Sequence, residues 1–125
     1  MGALIRTLSI AVLLAAALVC AVVAGASAPP VGPLPAGPTK TVVVKRGKAF
    51  VVNLPKSKVA GRVWRLARTY DRTVVYEVAE GEKGNVVWVR FRAGRIGTTR
   101  IVYALTLGEG RHAYTARRYA VRVIP

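Results

Sequence analysis

Cysteine and histidine are almost missing from this sequence. The 125 residues include one cysteine, Cys20, and one histidine, His112. From residue 39 onward no cysteine is present, which excludes a disulfide, a thiol nucleophile and a cysteine-containing metal site in that part. A lone histidine is far more often structural than a metal ligand or a catalytic base. Thiol and imidazole catalysis are therefore not indicated.

Acidic residues are also scarce. The five are Asp71, Glu77, Glu80, Glu82 and Glu109. Glu80 and Glu82 lie close together, but Lys83 follows and alternating Asp or Asn residues are missing, so solvation or a salt bridge is favoured over a calcium loop. No Gly-x-Ser-x-Gly, phosphate-binding glycine loop or zinc-ligand spacing is found. We predict a protein that is not an enzyme and holds no cofactor or metal.

Negative charge is therefore far outweighed by positive charge. Arg6 is the only one of 20 basic residues before Lys40, so the part from residue 39 carries 19 basic and 5 acidic residues, a net charge of +14. This favours an acidic partner such as an anionic surface. Basic residues at predicted outward strand positions are Arg65, Arg90, Arg92, Arg100 and Arg122. We interpret them as a solvated cationic face rather than a nucleic-acid site, because charge alone specifies no such site.

A long hydrophobic run is present only at the N-terminus. Arg6 precedes the uncharged stretch Leu8–Ala28, which is the pattern of a secretory signal. This stretch has 21 residues and is also long enough to span a bilayer. We predict that residues 1–28 are a signal peptide or, if uncleaved, a membrane anchor. The rest of the chain is then extracytoplasmic, either secreted or attached through residues 8–28.

Proline is concentrated in one short segment. Residues 29–38 contain five of the seven prolines, so the segment can be neither a helix nor a central strand. Its composition predicts an extended, semi-rigid linker. We expect it to hold a folded domain, residues 39–125, away from the membrane or the export machinery.

Helical periodicity is absent after Thr39, and short β segments separated by turns replace it. The predicted strands are Thr41–Lys45, Ala49–Leu54, Arg62–Ala67, Thr73–Val78, Asn85–Arg92, Thr98–Thr106 and His112–Val123, with a polar turn over Ala79–Gly84. Period-two alternation gives one apolar face each to the second, fourth and fifth strands, formed by Phe50, Val52 and Leu54, by Val74, Tyr76 and Val78, and by Val87, Val89 and Phe91. About seven short strands with regular turns indicate an all-β fold, an immunoglobulin-like β-sandwich. The Cys–Trp–Cys pattern of antibody domains is missing, so we expect the chain to resemble immunoglobulin domains in architecture only.

The stretch from Leu54 to Trp64 has an unusual spacing. Leu54-Pro55 is followed by five residues, Gly61, two residues and Trp64. Pro55 cannot donate a ladder hydrogen bond and so ends a strand, and Gly61 tolerates backbone angles that other residues resist. This spacing resembles that of the chagasin family of cysteine-protease inhibitors, in which a loop ends at the glycine and an aromatic strand follows.

The resemblance extends over nearly all of residues 40–125. Further segments that resemble the family, in the same order, are Gly81-Glu82-Lys83-Gly84, Ala93-Gly94, Gly97-Thr98-Thr99 and the closing Tyr119-Ala120-Val121-Arg122-Val123. The family's fold is an immunoglobulin-type sandwich, and three loops at one end form a wedge that fills the active-site cleft of papain-like proteases. The resemblance therefore implies a cysteine protease as protein partner.

By position, the three loops would be Lys56–Gly61, Gly81–Gly84 and Thr106–Arg111. The candidate partner-binding residues are Lys56, Ser57, Lys58, Val59, Ala60, Gly61, Gly81, Gly84, Leu107, Gly108, Glu109, Gly110 and Arg111. The residues that would frame the first loop are Leu54, Pro55 and Trp64.

The loop residues themselves differ from the family pattern. Ser57-Lys58-Val59-Ala60 stands where the family has Asn-Pro-Thr-Thr, and Thr106-Leu107-Gly108 stands where it has Arg-Pro-Trp. Two interpretations follow: an exported inhibitor of a cysteine protease, or a cell-surface binding or structural module without a protease target. A third is electrostatic binding of anionic polymers, which added salt would weaken steeply.

Overall fold

The structure, a computed structural model, describes residues 30–125. The predicted signal or anchor, residues 1–28, lies outside the described residues. That prediction, and the division of the chain into signal, linker and domain, therefore stay predictions. No helix within residues 30–125 is long and apolar enough to cross a membrane.

Seven strands build the described part of the chain. They are β1 (Thr39–Lys45), β2 (Ala49–Pro55), β3 (Arg62–Leu66), β4 (Val75–Lys83), β5 (Val86–Ala93), β6 (Gly97–Leu107) and β7 (Thr115–Ile124). A four-stranded sheet has the order β1-β7-β6-β3, and a three-stranded sheet has the order β2-β5-β4. β1 pairs with β7 in parallel, and the other neighbours pair antiparallel. The predicted all-β, immunoglobulin-like sandwich of seven strands is confirmed.

The main core lies between the two sheets. Leu54, Phe91 and Ile101 are fully buried there. The Phe50 ring stacks on Phe91 at 5.5 Å, and the Tyr70 ring meets Phe91 edge-on at 6.0 Å. Offset and edge-on aromatic pairs of this kind add to the stabilisation that burial provides. The apolar alternation of β2 and β5 thus faces inward as predicted.

The end of the fourth strand differs from its prediction. We predicted a turn over Ala79–Gly84, but β4 continues to Lys83 and the chain turns at Gly84 and Asn85. The pairing of β4 with β5 places Gly81 opposite Trp88. A Cβ atom at position 81 would lie 2.6 Å from Cζ2 of the indole, so Gly81 lets Trp88 pack on the strand rather than forming a turn.

The predicted face of β4 is also wrong. We expected Tyr76 and Val78 to share a buried face with Val74, but both are exposed while Val75 is buried. β4 begins at Val75, so Val74 belongs to the preceding turn and the alternation starts one residue later than predicted. A β-bulge between Glu77 and Ala79 changes the alternation again farther along the strand.

Residues 31–35 lie on the outer face of the four-stranded sheet. Val31 is buried there with four residues of the sheet and its loops, and Leu34 packs against the same cluster. Those four are Ala67, Val102, Ala104 and Ala113. This packing explains why β6 is buried on both faces from Ile101 to Thr106.

Arginine side chains hold this segment in place. Arg68 Nη1 donates to the carbonyl of Val31 at 3.2 Å, and Arg68 Nη2 donates to that of Gly32 at 3.1 Å. Arg118 Nη2 donates to the carbonyl of Pro35 at 2.7 Å. The segment is extended, as its prolines predict, but residues 31–35 pack on the domain instead of standing clear of it. We call residues 31–35 the docked segment.

Candidate functional site

Three connections meet at one end of the sandwich, which we call the loop end. Loop 1 is residues 56–61 between β2 and β3, loop 2 is the turn of Gly84 and Asn85 between β4 and β5, and loop 3 is residues 108–114 between β6 and β7. Loop 3 is longer than predicted, because β7 begins at Thr115 rather than His112. The structure thus brings the predicted first and third loops together with a shorter second loop, since Gly81 to Lys83 belong to β4.

The predicted frame residues close loop 1 at its base. The indole Nε1 of Trp64 donates to the carbonyl of Pro55 at 2.7 Å, which joins the end of β2 to β3 across the loop. Leu54 is fully buried beside it. Trp64 is only half-buried and packs against the rim of the main core. Both ends of loop 1 are therefore anchored.

Loop 1 also has internal order. The backbone N–H of Val59 donates to Ser57 Oγ at 3.1 Å, a side-chain turn that serine commonly forms. Gly61 has φ of +85°, a left-handed conformation that glycine adopts at low cost. Lys58, Val59 and Ala60 form the exposed tip between them. Val59 is 49% exposed, so the tip offers an apolar side chain to a partner.

Loop 1 contacts loop 2 through Lys56. Its backbone N–H donates to the carbonyl of Asn85 at 2.8 Å. Its Nζ lies 2.6 Å from Glu82 Oε1. Because both side chains are substantially exposed, the ion pair itself adds little stability. The backbone hydrogen bond is the more durable link between the two loops.

Loop 1 contacts loop 3 through its glycine. The N–H of Gly108 donates to the carbonyl of Gly61 at 2.9 Å. A Cβ atom at position 61 would lie 3.1 Å from Cδ1 of Leu107. Leu107, the last residue of β6, is 54% exposed and stands beside the tip of loop 1. Loop 1 is therefore fixed to a neighbour on each side.

Loop 3 is held by Arg65, which we did not predict for the site, and by Thr106, the first residue of the predicted third loop. Arg65 Nε donates to Thr106 Oγ1 at 3.1 Å, and its Nη2 donates to the carbonyls of Glu109 and Gly110 at 3.1 and 2.8 Å. Thr106 Oγ1 in turn donates to the carbonyl of Gly108 at 2.7 Å. We interpreted Arg65 as a solvated outward cation, which is wrong, because loop 3 folds back over its side chain.

The far side of loop 3 carries a cation–aromatic stack. The Arg62 guanidinium lies 3.6 Å from the centre of the Tyr114 ring. His112 meets the same ring edge-on at 4.6 Å. Tyr114 was not among the predicted site residues. Arg111, which was, contributes its carbonyl to a hydrogen bond from Gly32 N–H at 2.8 Å, so the docked segment also steadies loop 3.

A groove of about 610 Å³ runs beside loop 1. Its walls are loop 1, Val63 and Trp64 of β3, and Glu80 to Glu82 of β4. Because β3 and β4 are the edge strands of their sheets, the groove lies where the sandwich opens. Gly81 and Glu82, which were predicted as a protruding loop, form one wall of this groove instead.

Ionisable groups with shifted pKa values lie outside the three loops. The pKa of Asp71 is below its ordinary value because the Thr73 side chain and N–H donate to the carboxylate, with Arg95 also nearby. Burial, and then the charge of Glu80, raise the pKa of Glu77. Burial raises the pKa of the Tyr103 hydroxyl strongly. Within residues 30–125 no three His, Cys, Asp or Glu side chains are placed to hold a metal ion.

The loop end presents a surface formed by exposed loop tips. Its exposed groups are the apolar side chains Val59 and Leu107, the lysines of loop 1, and backbone groups. Backbone hydrogen bonds join the loops to one another before any partner arrives. Such an arrangement loses little conformational entropy on docking, which is the requirement for efficient binding by loops.

Known proteins resemble this chain in fold but do not match it in sequence. No protein-family model matches the chain, and no curated protein matches it by sequence. The solved structure of the cysteine protease inhibitor EhICP2 from Entamoeba histolytica is similar, with 13% identity and a TM-score of 0.54 over 70% of this chain and all of that one. PbICP-C, solved in complex with falcipain-2, has 12% identity and a TM-score of 0.52 over 77% of this chain and 98% of that one.

At these identities the likeness concerns the fold. It extends over all of the EhICP2 chain and nearly all of the PbICP-C chain, so it is not limited to a few shared strands. The chain therefore has the predicted chagasin-like fold, shared with EhICP2 and PbICP-C.

Proposed function

We propose that this chain inhibits a papain-like cysteine protease by placing its loop end in the active-site cleft. Backbone hydrogen bonds join loop 1 to loop 2 through Lys56 N–H and to loop 3 through Gly108 N–H, and this observation carries the proposal. The fold is also that of known cysteine protease inhibitors. An inhibitor of this kind must be rigid before it binds, because a flexible loop loses more entropy on docking and is cleaved more readily.

Loop 1 is the central contact in this proposal. It lies between loops 2 and 3, and its tip exposes Val59 beside Leu107. Apolar side chains at the centre of an interface, with polar groups around them, are the usual arrangement of a binding hot spot. The differences from the family pattern at Ser57–Ala60 then set which protease is bound, not whether the loop is presented.

Titration of papain-like proteases with the full chain tests the proposal, with detergent present if the N-terminal segment is retained. Val59→Asp should weaken inhibition about 100-fold, the loss typical of a hot-spot residue. The matched control is Val43→Asp, since Val43 is 58% exposed on β1, away from the loop end. Lack of inhibition at micromolar concentration across several such proteases, or equal losses for the two variants, would overturn the proposal.

The alternative from the sequence is a binding or structural module at the cell surface without a protease target. The structure offers no separate observation in its favour at the loop end. It becomes the better description if the folded chain inhibits no protease in that titration.

We further propose that the chain is exported. The uncharged stretch Leu8–Ala28 after Arg6 supports this, because it has the form of a signal or anchor. The mass of the protein recovered from cells separates the two forms: loss of about 28 residues indicates cleavage, and the full mass in the membrane fraction indicates an anchor. Full-length protein in the cytosolic fraction would contradict export.

A further inference from the structure

The outer face of the three-stranded sheet is basic and carries no acid. In the register of β4 and β5, Glu77, Glu80 and Glu82 lie opposite Phe91, Val89 and Val87, whose side chains face the core. Paired residues of antiparallel strands share a face. All acids of this sheet, every strand of which is described, therefore lie on its core-facing side.

Trp88 forms a flat platform on that outer face. It pairs with Gly81 of β4 and is half-buried. The missing Cβ of Gly81 leaves room for the indole to lie against the strand, since a Cβ there would come within 2.6 Å of Cζ2 and 2.8 Å of Cε2. The ring is thus supported from beneath by backbone, which is the arrangement of a stacking surface rather than of a projecting side chain.

Cations lie on both sides of this platform in a shallow groove of about 640 Å³. Its lining residues are Val51, Asn53, Lys83, Val86, Trp88 and Arg90. The Arg90 guanidinium lies 5.4 Å from the centre of the Trp88 ring. Val51 is 45% exposed, which leaves apolar surface uncovered next to the charges.

We propose that this groove binds an anionic polysaccharide, with sulfate or carboxylate groups on its sugars. A sugar ring has a flat C–H face that stacks on the indole of Trp88. Lys83 and Arg90 pair with the acidic groups on either side, and the Asn53 amide hydrogen-bonds hydroxyls. The absence of acids from the face makes it complementary to a chain that carries negative charge along its length.

Two other anionic partners fit the groove less well. Single-stranded nucleic acid binds where successive bases stack on successive aromatic rings, but the neighbours of Trp88 in the groove are the aliphatic side chains Val51 and Val86. A membrane surface favours aromatic rings that project into the interface, whereas the Trp88 ring is held against Gly81. The shape of the site thus favours a polymer of saturated rings.

The groove approaches the loop end only through Lys83 and Val86, which flank loop 2. Arg90 and Trp88 lie on the outer side of β5, and neither contacts loop 1 or loop 3 in any hydrogen bond of the loop end. The polysaccharide site therefore does not depend on protease inhibition. An Arg90→Glu variant should retain whatever inhibition the parent shows, so failure of one proposal does not affect the other.

Calorimetric titration of the full chain with heparin, using neutral dextran as control, tests the proposal. Heparin should bind and dextran should not, and Arg90→Glu should weaken heparin binding about ten-fold, as loss and reversal of one close charge contact predicts. The matched variant Arg100→Glu changes net charge equally at an exposed position of β6 on the other sheet. It should weaken binding about two-fold at most, because distant charges are screened.

The platform is tested by Trp88→Leu, which keeps an apolar side chain but removes the ring. It should weaken heparin binding about five- to ten-fold, while far-ultraviolet circular dichroism confirms the fold. The proposal is overturned if Arg90→Glu and Arg100→Glu lose affinity equally, or if Trp88→Leu binds as the parent does. It is equally overturned if oligothymidylate or phosphatidylserine vesicles bind more tightly than heparin with the same dependence on Arg90 and Trp88.

Discussion

The two ends of the sandwich are held together in different ways. At the end opposite the loops, the turns bond to one another through backbone groups and through Asp71: Ala93 exchanges hydrogen bonds with Gly47 and Lys48, and Arg95 Nη2 donates to Asp71 Oδ2 at 3.0 Å. At the loop end, two side chains of one edge strand, β3, provide much of the support, since Trp64 donates to Pro55 and Arg65 donates to loop 3. Turn residues are exposed at both ends, so the ends differ in what supports their loops.

Rigid support beneath the loops is what the proposed inhibition requires of the loop end. Loops that are held from beneath by side chains can be rigid and still expose their tips. The predictions below compare the two ends, beginning with the largest expected effect.

Removing the docked segment should lower the stability of the domain more than any other change below, and the loss should fall mainly on the loop end. A chain that begins at residue 39 uncovers Val102 and Ala104 and loses the bond from Gly32 to Arg111. We expect a loss of about 3 kcal/mol in unfolding free energy relative to a chain that begins at residue 30, from lost apolar burial. Chemical denaturation measures it.

The single substitution Val31→Ala is the control for that truncation. It removes part of the same burial and should cost about half as much. If the two chains of different length unfold at the same denaturant concentration, residues 31–35 do not stabilise the domain.

Replacing Arg65 should separate loop order from global stability. Arg65→Met keeps the aliphatic stem but loses the hydrogen bonds to Thr106 and to the loop 3 carbonyls. We expect a cost of about 2 kcal/mol and about a ten-fold weaker inhibition, because loop 3 becomes less ordered. Inhibition kinetics and thermal unfolding measure the two effects.

Arg92 provides the matched change near the opposite end. Its Nη1 donates to the carbonyl of Gly47 at 2.9 Å, so Arg92→Met also removes an arginine–backbone hydrogen bond. It should lower stability by less than Arg65→Met and leave inhibition as it is. Equal losses of inhibition would mean that Arg65 acts through overall stability alone.

Two glycines with nearly the same φ allow a direct comparison of the ends. Gly61 has φ of +85° at loop 1, and Gly47 has φ of +84° in the turn between β1 and β2. Alanine at either position should cost about 1 kcal/mol because of the left-handed conformation. Gly61→Ala should lower stability further than Gly47→Ala. The new Cβ atom at position 61 would lie 3.1 Å from Cδ1 of Leu107, whereas nothing lies within 4 Å of a Cβ atom at position 47.

Thermal unfolding of the two alanine variants measures this difference. We expect only Gly61→Ala to weaken inhibition. If Gly47→Ala weakens inhibition as much, the effect comes from general loss of stability rather than from the position of loop 1.

The smallest effect concerns pH and belongs to the opposite end. The lowered pKa of Asp71 means that its carboxylate stabilises the fold above the unfolded value of about 4. This contribution is lost as the pH falls through the lower folded value. Thermal unfolding of Asp71→Asn should differ from that of the parent at pH 6 and agree with it at pH 2. A difference of the same size at both values would contradict this assignment.

Much of the fold could be predicted because its cues are local. Alternating apolar residues predicted all seven strands along the chain. The spacing of Leu54, Pro55, Gly61 and Trp64 predicted which residues frame loop 1. These cues depend only on neighbours in the chain. The same reasoning failed at β4, because Val74 ends a turn that the local pattern does not separate from the strand.

Parts of the site could not be predicted because they depend on distant partners. Arg65 has the sequence context of a solvated strand residue, and only the return of loop 3 makes it a support. The docked segment has the composition of a free linker, and only the uncovered alanines of β6 and of the neighbouring loops give Val31 a place to bind. Gly81 resembles a turn residue until Trp88 is placed beside it.

By itself the sequence determined the β architecture, the framed loop 1 and the strongly positive charge, since these follow from residue type and short-range spacing. The tertiary structure decided that three loops join through backbone hydrogen bonds at one end. It also decided that the acids of β4 lie on the opposite side of the sheet from Trp88, Lys83 and Arg90. These outcomes depend on strand register and on packing between residues far apart in the chain, which no local pattern encodes.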